Sequence, residues 1–89
     1  MSNTNLTLNH VLKTAYRNAV ATIQATPKFN AMYQCIVEEL TARANKGSLM
    51  PIQKQVGYEL LHAIVDKLNA DGLAVSYYND VVEVRIKIA

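Results

Sequence analysis

The C-terminal stretch limits the fold of this chain more than any other part. From Leu73 to Tyr78, and again from Val81 to Ile88, apolar and polar residues alternate on either side of Asn79-Asp80. Alternation with period two sends successive side chains to opposite faces of a strand. A two-residue connection made of Asn and Asp suits a hairpin, since both tolerate positive φ. The turn predicts a register in which Tyr78 faces Val81, Tyr77 faces Val82, Val75 faces Val84 and Leu73 faces Ile86. One face then carries Leu73, Val75, Tyr77, Val82, Val84, Ile86 and Ile88. The other carries Ala74, Ser76, Tyr78, Val81, Glu83, Arg85 and Lys87. Both strands, read separately, put their apolar side on the same face, so one face has to be covered and the other meets solvent.

The cover is expected from helices upstream. Leu8, Leu12, Ala15, Tyr16, Ala19, Val20 and Ile23 recur at three- and four-residue steps, which predicts a first helix from about Leu8 to Ala25. Thr4 or Thr7 is the expected cap, and His10, Lys13, Arg17 and Gln24 form the polar side. Thr26-Pro27 then reads as a cap followed by a first-turn proline, opening a second helix. Its apolar positions are Phe29, Met32, Tyr33, Ile36, Val37, Leu40 and Ala44, and Gly47 stops it. Ser48 to Val56 is open between an edge strand and a short helix started by Pro51. After Gly57 a third helix is expected from about Tyr58 to Ala70, burying Tyr58, Leu61, Ile64, Val65 and Leu68. If Ser48–Val56 is a strand, it and Leu73–Tyr78 flank that helix as a β-α-β unit with a right-handed crossover. The expected whole is a single two-layer α+β domain over residues 1–89, in the order α-α-β-α-β-β. It has a small sheet of about three strands ending in a C-terminal β-hairpin, and residues 1–7 are flexible.

Eighty-nine residues, 51% of them hydrophobic and 18% charged, make a globular chain with one modest core. No apolar run approaches the roughly 18 residues of a membrane span, so no membrane partner is expected. The first residues lack the basic and apolar regions of a secretory signal. A single cysteine, Cys35, excludes an internal disulfide framework and points to a reducing compartment. The net charge of +2 is unevenly placed: residues 1–37 hold Lys13, Arg17 and Lys28 and no acid. That end of the chain either faces something acidic or is ordinary solvated surface.

Chemistry-bearing patterns are few. Cys35 lies among Met32, Tyr33, Ile36 and Val37, where a cysteine reads as a small hydrophobe rather than a nucleophile. His62 and Asp66 stand one helical turn apart and could pair, but one imidazole and one carboxylate make neither a triad nor a zinc site. Glu38 and Glu39 point about 100° apart on a helix and do not converge. The three glycines are isolated, so no phosphate-cradling loop is present. No catalytic residue, cofactor or metal is expected. The positive feature is aromatic: Tyr78 falls on the outer hairpin face with Val81 and Ala74, a candidate protein interface.

Two resemblances bear on function. Leu60 to Leu73, with its "L-x-x-x-G-L" ending and the hairpin behind it, resembles the recognition helix and wing of a winged-helix domain. That likeness implies a nucleic-acid-binding regulator with Lys13, Arg17 and Lys67 as candidate contacts. The whole chain resembles small uncharacterised proteins of tailed bacteriophages. The parts that carry this are Ile36–Leu40 through Ala44–Gly47, then Ile52, then Leu68–Gly72, then Val82–Ile86. It implies a phage accessory protein acting by protein contact, in the virion or in the bacterial host cytoplasm, or else an inhibitor of a host enzyme or defence complex. A homo-oligomer is expected, because the first two helices offer more apolar stripe than a three-stranded sheet covers. The sheet edges also have few blockers beyond Pro51 and Lys54.

Overall fold

A computed structural model describes residues 4–88. The chain forms α1 (Thr4–Gln24), α2 (Pro27–Asn45), β1 (Ile52–Gln55), α3 (Tyr58–Ala70), β2 (Ala74–Tyr78) and β3 (Val81–Arg85). This is the expected α+β order. The open stretch is a strand, and no helix forms between Pro51 and α3.

The hairpin holds the register read from its turn: Tyr78 pairs with Val81, Tyr77 with Val82 and Val75 with Val84. Asn79 adopts φ 54°, the left-handed conformation that Asn tolerates. β1 pairs antiparallel with β3, Ile52 opposite Val84 and Lys54 opposite Val82, so the sheet order is β1-β3-β2. The β1-α3-β2 unit is therefore split. Its two strands run in the same direction, and β3 lies between them.

One face of this sheet is the floor of the core. Ile52, Val82 and Val84 are buried on it beneath Leu60, Leu61, Ala63, Ile64 and Leu68 of α3 and Phe29, Ile36 and Leu40 of α2. α3 is buried over a wider arc than one stripe, because the sheet lies on one side of it and helices on another. Leu60 and Ala63, missing from the expected face, are buried for that reason. Tyr58, expected inside, is 69% exposed at the first turn of the helix.

Local signals set the helix ends. Thr26 caps α2, its hydroxyl accepting from the Phe29 N–H at 3.2 Å, with Pro27 in the first turn. Gly57 joins β1 to α3 at φ 83° and ψ 150°, a region essentially reserved for glycine. α1 begins a turn earlier than expected. Residues 4–7, expected to be flexible, belong to it, and Thr7 lies inside the helix rather than at its cap; residues 1–3 lie outside the described residues. Gln24, placed on the polar side by periodicity, instead donates from Nε2 to the Ala63 carbonyl at 3.1 Å. No helix among the described residues is long and apolar enough to cross a membrane.

Ile64 has no exposed surface. Ile64→Ala is expected to cost about 2–5 kcal/mol in chemical denaturation. Gly57→Ala is expected to cost about 1–3 kcal/mol, although a Cβ there meets nothing within 4 Å; the loss comes from the backbone conformation alone. Equal stability of Gly57→Ala and the parent chain would show that the joint relaxes.

Candidate interaction surface

α1 is half anchored. Its C-terminal turns bring Val20 and Ile23 against the core. Tyr16 donates to Asp66 Oδ2 at 2.8 Å, fixing the helix against α3. From Thr7 to Ala15 every residue is exposed. Leu8, Val11 and Leu12 are 54–58% exposed, and Ala15 and Ala19 are exposed beside them. An amphipathic helix is expected to bury its apolar stripe; here about three of its turns, Leu8 to Ala19, show that stripe to solvent.

A run of edge-on aromatic rings continues from this helix onto the body. The Tyr16 and His62 rings lie 6.5 Å apart, and those of His62 and Tyr77 5.8 Å apart, both near perpendicular. Asp66 receives the Tyr16 hydroxyl, and no His62–Asp66 ion pair forms among the described residues.

The outer sheet face is more polar. Tyr78 is 80% exposed and sits beside half-buried Val81. Ala74 lies four residues along β2, about 13 Å away at strand spacing, with Ser76 and Glu83 between. The open hollow at the Tyr78 end, about 370 Å³, is lined largely by Gln53, Ser76, Asp80 and Glu83 beside Tyr78 and Val81.

The three candidate nucleic-acid contacts do not share one face. Lys13 and Arg17 are exposed on the polar side of α1. Lys67 turns to α2, pairs with Asp71 at 3.2 Å and lies 5.4 Å from the centre of the Tyr33 ring.

Nothing reactive assembles around the remaining groups. Cys35, expected as a core or half-buried small hydrophobe, is exposed, its Sγ 3.7 Å from Glu39 Oε2. It falls outside the arc that α2 buries with Phe29, Ile36 and Leu40. Glu39 reaches across to Lys54 of β1. This contact holds the Glu39 carboxyl below the usual range and raises the Lys54 ammonium. Tyr33 donates to Asp71 Oδ2 at 2.5 Å. That bond, with the Lys67 ammonium second, lowers the Asp71 carboxyl, and it raises the Tyr33 phenol. The bond to Asp66 raises the Tyr16 phenol in the same way. No group of three or more potential metal ligands occurs among the described residues. These networks tie helix to helix and helix to sheet; Tyr33 and Asp71 border an open, largely apolar hollow of about 350 Å³ with Val37, Leu40, Leu73 and Ile86.

Comparison with protein-family models, curated proteins and solved structures gave no match. The interaction surface therefore rests on its own geometry. The feature that periodicity alone did not reveal is where along α1 the cover ends. The surplus of apolar stripe on the first two helices is plain in the sequence, but not that the uncovered part is the N-terminal half of α1.

A carboxyl lowered in the folded state contributes stability above the ordinary carboxylate range and loses it as pH falls through the lowered value. Stability is thus expected to decline on acidification through the titration of Glu39 and Asp71, and Tyr33→Phe should flatten the Asp71 part of that decline in denaturant melts. On the alkaline side, Tyr16→Phe and Tyr33→Phe should each remove one late-ionising phenol from a near-ultraviolet titration. Loss of a phenol that ionises in the ordinary tyrosine range in either variant would mean that its hydroxyl–carboxylate bond does not persist in solution.

Proposed function

We propose that this chain is a non-enzymatic accessory protein that works by protein–protein contact, through the uncovered face of α1. The observation that carries this reading is the exposure of Leu8, Val11 and Leu12 in one apolar stripe on a helix anchored only at its other end. An exposed stripe rimmed by polar residues has the composition of a docking surface, and the helix-in-groove mode reads anchors at this spacing. The phage setting, as virion component or as binder of a host factor, rests on the sequence resemblance. The outer-face residues Tyr78, Val81 and Ala74 form a second, more polar surface that the same partner or another one can share.

Nucleic-acid binding has less support. Lys67 is engaged with Asp71 and Tyr33, and the segment before α3 is a strand, so α3 has no helix packed in front of it at a tight turn.

Leu12→Glu places a charge on the stripe without touching the core. Immobilised parent chain is expected to retain protein from a bacterial lysate, or free copies of itself, and the variant to lose it. A single host protein identified by mass spectrometry would mark an inhibitor, and self-capture alone a structural part. Equal capture by the two chains, or none by either, would overturn the reading. A gel shift at low salt that Lys13→Ala and Arg17→Ala abolish would replace it with nucleic-acid binding.

A further inference from the structure

We infer that the occupant of the α1 stripe is the same stripe of a second copy, packed antiparallel across a two-fold axis between Val11 and Leu12. The inference rests on the contact reading above and names the partner.

Surface area points to a second copy. A monomer of 9.9 kDa is expected to expose about 5,200 Å², and this chain exposes 6194 Å². The excess, about 1,000 Å², is close to the ~800 Å² that each partner contributes to a standard interface. The radius of gyration, 15.7 Å with a long axis of 58 Å, likewise exceeds the ~12 Å of a compact domain of this length. The overhanging half of α1, where residues 7–19 are all exposed, contributes to both departures.

Charge and shape fit a like partner. At about 100° per residue, Leu8, Val11, Leu12, Ala15 and Ala19 fall within about 100° of arc. Lys13, Arg17 and His10 lie on the opposite side, and α1 carries no acid. Asn18 borders the stripe on one side and Ile23 and Tyr16 on the other, with Thr22 continuing it beyond Ala19, so two copies meet without like charges in contact. The body-facing residues Ile23 and Val20 continue this arc by about 20° and 80°, and the stripe is clear of the rest of the chain because residues 7–19 are all exposed along the helix axis. Antiparallel pairing about Val11 and Leu12 sets Leu8 of each copy against Ala15 of the other, large against small, as interdigitating helices require. It also opposes the helix dipoles and places the two bodies at opposite ends. An uncovered helical segment of about 12 residues is marginal alone in water, and the second copy supplies the packing it lacks.

Sedimentation of the full chain at micromolar concentration is expected to give a dimer. Leu12→Glu buries an unpaired charge in the seam and should weaken association at least about a hundredfold. Lys13→Glu, on the far side, should leave it intact, with circular dichroism checking that each variant is folded. Register is read by disulfide trapping in a Cys35→Ser background. Leu8→Cys and Ala15→Cys chains should cross-link when mixed and resist cross-linking singly, whereas Val11→Cys should cross-link alone. A monomer throughout, or a dimer indifferent to Leu12→Glu, overturns the inference. Efficient self-cross-linking of Leu8→Cys overturns the antiparallel register. A monomer whose stripe still captures another protein sinks this inference while leaving the contact function standing.

Discussion

The structure depends on the burial of α3 against β3. Ile64 and Leu68 on the helix and Val82 and Val84 on the strand have no exposed surface. Every other element takes its place from that contact. β1 and β2 flank β3, α2 closes over the same residues through Phe29, Ile36 and Leu40, and α1 packs on the helices rather than on the strands. A chain of this size has little apolar area to spare. The core uses most of it in one place and leaves α1 held by its last turns and a few polar bonds.

How much of this was legible in the sequence follows from how local each signal is. The hairpin register was readable because a two-residue turn leaves one alignment, and the alternation of both strands agrees with it. The start of α2 was readable because Thr26 and Pro27 act on their own neighbours. β1 could not be decided locally: Pro51, Ile52 and Val56 suit a strand or a short helix, and pairing with β3, some 30 residues away, makes the choice. The burial of Leu60 and Ala63 and the exposure of Tyr58 and Cys35 were missed for a related reason. Periodicity finds a stripe, but how wide an arc is buried depends on what packs against it.

The candidate surface divides along the same line. Sequence reading named Tyr78, Val81 and Ala74 from strand alternation, and the register places all three on the outer face. It did not separate the anchored from the free half of α1, since Leu8 and Ile23 belong to one unbroken pattern. The difference between them is tertiary: Ile23 meets the core, and Leu8 lies beyond the reach of the body. The tyrosine–carboxylate bonds also lay beyond sequence reading. They link Tyr16 to Asp66 and Tyr33 to Asp71 across 50 and 38 residues.

The strand order has a consequence for how the molecule comes into being. β3 is central in the sheet and last of the strands along the chain, so β1 and β2 have no common neighbour until it is synthesised. Helices and the β2-β3 hairpin form from local contacts, whereas the β1-β3 pairing closes a long loop, the kind of contact that forms slowly. Until then the inner faces of α2 and α3 are bare, and the nascent polypeptide is at its most vulnerable to chaperones, proteases and its own kind.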